Sequence, residues 1–310
     1  MEGKGSKAFC SGGDMRGLYD GYIGKMPKVY QHKYCGTLYK VDYALYKMKP
    51  IHICIWNGFV FGSGAGICAS ANFKIATEKS EWAMPECVAG FLVDNATSIQ
   101  FTTLKGDRAK YLCLGLYLAI TGKRVIGKDL LRYGIATHFV SGAKIEDVKK
   151  SITQNVNEDT DINQVMGVLM RFSDNSALKE DPENYDIIYQ IFKPDSIQNI
   201  FDRVYQYPDQ NHSFIIDTKQ YLEKNSPMSM AICFELLIRG QRYTKQEALI
   251  ADYKVGQALL NYPDYFHGVH KLLVDKDRNT KPKWHKKSVY DITKEDVEYF
   301  FNYQIELNLD

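Results

Sequence analysis

The sequence predicts an α/β fold whose second half is mainly helical. Three observations carry that expectation: short apolar β-prone runs in the first third, glycine-rich connections beside them, and well-marked helix starts in the last third. Ile51 to Trp56 is apolar and rich in β-formers, and Asn57-Gly58 breaks it. Phe73 to Ala76 reads as a second short strand, with helical segments between and beyond. From about Gly142 the chain turns helical and polar, which divides it into an α/β part, 1–142, and a helical part, 143–310, packed on it. Glu158 to Pro182, rich in Asp, Asn and Ser, reads as a long surface connection. Three helix starts follow: Ser226 with Pro227 in the first turn, Thr244 with Glu247 as a capping box, and Thr293 with Glu295 and Asp296 behind it. Gly240 and Pro263 end the first two. Ile232, Leu236 and Leu237, then Leu249, Tyr253 and Leu260, fall at helical spacing and should face a core.

Composition narrows the class. With 45% hydrophobic and 25% charged residues the 310-residue chain can bury a core, and a net charge of +2 argues against a polyanion binder by charge alone. No apolar run is long enough to span a bilayer. The start shows neither a secretory signal nor an Arg- and Ser-rich transit pattern. Seven cysteines, scattered from Cys10 to Cys233, suggest reduced thiols, and Cys10 and Cys68 read as packing residues rather than nucleophiles. His267 and His270 form an HxxH without a third ligand at metal spacing, so no metal site is expected. Lys281 to Lys287, KPKWHKK, reads as a solvated tail with a Trp anchor.

Two loops point to chemistry. Gly12 and Gly13 follow Ser11, and Gly62, Gly64 and Gly66 surround Ser63, so the backbone at both places can approach a ligand without a Cβ in the way. Two such loops can aim two N–H groups at one oxygen. A helix opening at the second loop and running through Ile67 to Ala71 would favour negative charge at its start. Thioester chemistry needs this, because its carbonyl oxygen becomes an enolate or a tetrahedral oxyanion. Glu86 after Pro85, and Asp94 beyond Gly90, supply two carboxyls that converge from a turn rather than from one helix face.

Three stretches, KAFCSGGDMRGLY, KPIHICIWNGFVFGSGAGICASANFKIATEKSEWAMPECVAGFLVD and AITGKRVIGKDLLRYGIATHFV, resemble the enoyl-CoA hydratase/isomerase (crotonase) superfamily. SPMSMAICFELLIRGQ, YPDYFHGVHKLLVDKDRNTKPKW and DITKEDVEYFF are similar to the C-terminal region of its 3-hydroxyisobutyryl-CoA hydrolase branch. The resemblance implies a stacked ββα superhelix core carrying a helical C-terminal region. It implies oxyanion-hole N–H groups at Ser11 and Ser63, catalytic carboxyls at Glu86 and Asp94, and substrate contacts at Gly12, Gly13, Asp14, Gly62 and Gly64. Gly66 stands where hydratases carry their other catalytic glutamate, which argues against water addition.

The implied activity is hydrolysis of 3-hydroxyisobutyryl-CoA in valine breakdown, in mitochondria, with coenzyme A as part of the substrate and no other cofactor. A homo-oligomer is compatible with the resemblance, and no membrane partner is expected. The alternative is a catalytically impaired relative serving as a mitochondrial ribosomal subunit, contacting ribosomal RNA and proteins. Four departures from the branch pattern stand out. Ser63 replaces the middle glycine of the triplet, and Leu92-Val93-Asp94-Asn95-Ala96-Thr97 replaces Phe-Pro-Asp-x-Gly-Gly. Thr37-Leu38 replaces an acidic pair, and Met1 falls almost on the first loop. From the last departure the opening strands are expected to be missing, leaving an apolar edge uncovered near Ile53, Ile55 and Ile75.

Overall fold

The computed structural model describes residues 1–27, 29–157, 160–277 and 280–309. Its strands are short, and the first five alternate between two sheets. One sheet has β1 (Ala8–Cys10), β3 (Phe59–Phe61) and β5 (Glu81–Ala83) in parallel, with β6 (Val125–Ile126) antiparallel at its edge. The other is all parallel: β2 (Ile53–Trp56), β4 (Phe73–Ala76) and β7 (His138–Phe139). Consecutive strands such as β2 and β3, or β4 and β5, therefore belong to different sheets, and a helix follows each pair. Ile53-Cys54-Ile55-Trp56 carries no polar alternation because layers lie on both faces of its sheet, as parallel strands require.

The helices of the first half are α1 (Met15–Tyr22), α2 (Val29–Lys47), α3 (Ser63–Cys68), α4 (Thr97–Thr102), α5 (Arg108–Thr121) and α6 (Asp129–Arg132). Asp107 caps α5 by accepting from Lys110 N–H at 3.1 Å, and every residue from Tyr111 to Thr121 is buried, so α5 is a central post. The second half adds α7 (Ile145–Asn155), α8 (Ile162–Met170), α9 (Tyr185–Ile191), α10 (Ile197–Tyr205), α11 (Ser213–Lys224), α12 (Pro227–Gly240), α13 (Lys245–Leu260), α14 (Pro263–Val269) and α15 (Lys294–Phe301). Ser226, Thr244 and Thr293 cap α12, α13 and α15 as expected, and Gly240 ends α12. One apolar cluster takes residues from both halves: Trp56, Leu92 and Leu118 pack in it with Ile232, Leu236 and Leu249. Trp284 is buried and donates to Lys224 O at 3.1 Å, while Lys286 pairs with Asp296 at 2.7 Å. The basic tail is thus held against the protein by its Trp. Among the described residues no helix is long and apolar enough to cross a membrane.

Three expectations need correction. The stretch from Glu158 to Pro182 is not a bare connection; Glu158 and Asp159 lie outside the described residues, but Asp161 and Gln164 form a capping box that starts α8. The polar residues read as loop chemistry are helix-start chemistry. Nor is the edge near Ile55 and Ile75 bare. Both are buried in a second apolar cluster, where Ile145 and Val148 of α7 and Val165 and Leu169 of α8 pack over β2 and β4, and Ile53 lies partly buried beside it. The missed helix is the cover for that face. Finally, α3 stops at Cys68 instead of running to Ala71.

Candidate active site

The first loop leaves β1 and enters α1. Asp14 Oδ1 caps that helix by accepting from Gly17 N–H at 2.9 Å, and Oδ2 accepts from Tyr30 Oη at 2.8 Å. Asp14 N–H donates to Tyr34 Oη at 2.7 Å, so two tyrosines of α2 pin the loop. The second loop leaves β3 through Gly62, whose φ of +51° suits glycine. Here the two loops and a carboxyl meet: a methyl on Gly62 would lie 2.8 Å from Glu86 Oε1 and 3.6 Å from Gly12 Cα. A methyl on Gly13 would lie 2.7 Å from Tyr34 Oη and 3.0 Å from Ser63 Oγ.

A cavity of about 380 Å³ opens between them. Its wall contains Ser11, Gly12, Gly13 and Asp14 from the first loop, Gly62 and Ser63 from the second, and Glu86 and Asp94. Gly64, expected beside the substrate, is not among the residues that line this cavity. A methyl there would sit 2.6 Å from Cys10 O, so its role is to let α3 lie against β1. Asp14 reaches the cavity, but both its carboxylate oxygens are engaged by α1 and Tyr30. The Ser11 and Ser63 N–H groups find no acceptor among the described residues. Unpaired peptide donors facing a cavity are what a developing oxyanion requires.

Glu86 starts a tight helical turn, Glu86–Ala89, which Gly90 closes in the left-handed conformation. Its Oε2 is buried without a hydrogen-bond partner among the described residues. Burial, and then the nearby Asp94, hold its carboxyl well above the ordinary carboxylate range. Asp94 is buried too and accepts from Tyr39 Oη at 2.8 Å; burial pushes its pKa up to about 7. Two neighbouring carboxyls with raised pKa values suit proton transfer near neutrality.

The loop after Asp94 is held from behind. Asn95 and Ala96 take φ of +61° and +51°, unusual for residues with a Cβ. Asn95 Nδ2 donates to buried Asp42 at 2.5 Å, and Ala96 N–H donates to buried Asp252 at 2.6 Å, which fixes this conformation. Asn95 also fills the space over Gly66, where a methyl would lie 2.2 Å from its Cβ. Leu272 and Leu273, of the helical turn after α14, and Arg16 and Leu18, of α1, also line the cavity. His270 of that turn shares a 2.6 Å hydrogen bond with Tyr19 and lies 3.3 Å from Asp275. Among the described residues no group of three or more His, Cys, Asp or Glu is placed to hold a metal ion. Cys68 accepts from Trp56 Nε1 at 3.3 Å in the core, and Cys10 lies partly buried behind its loop.

The sequence reading missed the contribution of α2. Tyr34, Cys35 and Leu38 line the cavity and Tyr39 holds Asp94. A signal was present: Gln31, Cys35, Tyr39 and Asp42, the buried positions of α2, repeat at helical spacing despite their mixed polarity.

The family model for enoyl-CoA hydratase/isomerase matches residues 1–301. The chain is 32% identical over 309 residues to the mitochondrial 3-hydroxyisobutyryl-CoA hydrolase of Dictyostelium discoideum, covering 97% of this chain and 78% of that protein. It is 30% identical over 311 residues to the mitochondrial 3-hydroxyisobutyryl-CoA hydrolase of Homo sapiens, covering 97% and 75%. Its fold is similar to a carnitinyl-CoA dehydratase from Mycobacterium thermoresistibile, with a TM-score of 0.83 at 22% identity over 99% of this chain and 83% of the other. An enoyl-CoA hydratase from Rhodobacter sphaeroides gives 0.78 at 23% identity over 96% and 82%. With its first five strands alternating between two sheets and two glycine loops meeting at a buried glutamate, this chain belongs to the enoyl-CoA hydratase/isomerase family and has the crotonase fold.

Proposed function

We propose that this chain hydrolyses a branched 3-hydroxyacyl-CoA thioester, 3-hydroxyisobutyryl-CoA, to 3-hydroxyisobutyrate and CoA. The observation that carries the reading is the pairing of unengaged N–H groups at Ser11 and Ser63 with the unpartnered Oε2 of Glu86 around one cavity. The two N–H groups would hold the thioester oxygen as negative charge develops on it. Glu86, once ionised, takes a proton from water as its oxygen bonds to the carbonyl carbon; the C–S bond then breaks, and that proton passes to the departing sulfur. Asp94, steadied by Tyr39, would receive the substrate hydroxyl. The crowding of Gly66 by Asn95 supports hydrolysis over hydration, because a second glutamate has no room there. The names of the relatives support a mitochondrial setting, and the reading places the reaction in valine breakdown. No cofactor besides the CoA of the substrate enters this scheme.

Thiol release from 3-hydroxyisobutyryl-CoA tests it. Glu86→Gln should lower kcat by about a hundredfold or more and leave CoA affinity nearly intact, since the carboxylate acts mainly in the transition state. Equal turnover by variant and parent would remove Glu86 from the mechanism. No turnover by the parent, together with co-sedimentation with ribosomal particles, would favour the structural-subunit reading instead.

A further inference from the structure

Tyr34 stands out among the cavity-lining side chains because one half of its hydroxyl is engaged and the other is not. Its oxygen accepts from Asp14 N–H at 2.7 Å, while its own proton has no acceptor among the described residues. The ring stacks on Tyr30 at 5.8 Å between centroids, and Tyr30 is itself bonded to Asp14, so the phenol is held in place before any ligand arrives. It faces the gap left by the missing side chain of Gly13. A methyl there would lie 2.7 Å from Tyr34 Oη and 3.0 Å from Ser63 Oγ, which puts the two hydroxyls under about 6 Å apart, close enough to bracket one ligand atom. Asp14 and Ser63 belong to the two loops that supply the free N–H groups, so the unspent O–H lies beside them.

We propose that Tyr34 is a third hydrogen-bond donor to the substrate's thioester carbonyl oxygen, working with the N–H groups of Ser11 and Ser63; this rests on the hydrolase reading above. Burial keeps the phenol protonated by raising its pKa, so it is a neutral donor throughout the working pH range. A fixed donor strengthens as charge moves onto the oxygen, so its effect should fall on kcat more than on KM.

Tyr34→Phe keeps the ring and removes the donor, together with the acceptor of Asp14 N–H. Thiol release should show kcat lowered about 100-fold with KM raised by no more than about tenfold, and Tm should fall slightly because Asp14 N–H loses its acceptor. Binding is then measured in the Glu86→Gln background with two probes: 3-hydroxyisobutyryl-CoA, and an S-alkyl-CoA thioether that keeps the sulfur but lacks the carbonyl. Tyr34→Phe should weaken the thioester about tenfold and leave the thioether unchanged. Equal weakening of both would place the phenol on the sulfur or in loop support, and an unchanged kcat would remove it; either overturns the proposal. If Tyr34→Phe does not fold, 3-fluorotyrosine at this position keeps the Asp14 contact and makes a stronger donor. It should then increase the thioester-over-thioether preference, and no change would overturn the assignment. A parent chain that prefers the thioester yet releases no thiol would refute the hydrolase reading while the binding ratio still decides Tyr34.

Discussion

Asp94→Asn removes a buried ionisable group while keeping its shape and its capacity to accept from Tyr39. In the unfolded chain the carboxyl ionises near 3.8; in the fold, burial holds it protonated up to about 7. Between those pH values the folded state carries the extra proton, so the parent loses stability as pH rises from 4 to 7. A displacement from 3.8 to about 7 corresponds to roughly 4 kcal/mol at ~1.4 kcal/mol per pH unit. Asp42 is also displaced to about 7, by burial and in part by the Asp94 charge, so its own loss of stability eases in the variant and widens the gap in the same direction. The variant and the parent should therefore be nearly equally stable at pH 4, and at pH 8.5 the variant should lead by about 2 to 4 kcal/mol. Urea unfolding at pH 4, 6 and 8.5 measures this gap. A second readout follows from Glu86, whose pKa Asp94 helps to raise. With a neutral residue at 94, the acid limb of the residual kcat/KM should move to lower pH, though the plateau itself should fall. A stability gap that stays constant across pH would refute the reasoning, because it would mean that Asp94 ionises alike in the folded and unfolded chains.

Gly64→Ala would place a methyl 2.6 Å from Cys10 O, a backbone atom that cannot swing aside. The variant should lose about 1 to 3 kcal/mol or more in urea unfolding, and a neutral result would show that α3 does not rest on β1. Leu169→Ala should cost about 2 to 5 kcal/mol, because Leu169 is fully buried where α8 covers the β2–β4 sheet. Dye binding at this variant should rise as that face is uncovered, and a change below about 0.5 kcal/mol would count against α8 as the cover.

The helix ends were readable because capping is local chemistry. Ser226, Thr244 and Thr293 each accept from a backbone N–H three residues on, and Thr244 and Thr293 also donate within that turn, so three or four residues contain the signal. The same chemistry at Asp161 and Gln164 was passed over because polar neighbours masked it, and with it went the element that covers Ile55 and Ile75. The strand at Ile53–Trp56 was legible because four apolar, β-prone residues are closed off by Asn57-Gly58, while its parallel pairing with Phe73–Ala76 came only from the fold.

For the site, the sequence by itself determined the two glycine loops and the carboxyls at 86 and 94, since a bare backbone and an acid beside a Pro or Gly turn are properties of short segments. Only the tertiary structure decided how these segments share one space. It assigned Gly64 to packing against Cys10 and left Gly62 against Glu86, two residues apart on one loop with opposite duties. It brought Tyr34 and Tyr39 from α2 onto the first loop and onto Asp94, across 20 and 55 residues of chain. It also set the ionisation of Glu86 and Asp94, because a carboxyl's pKa depends on the water it loses and the charge it faces, and both are fixed by how distant segments pack.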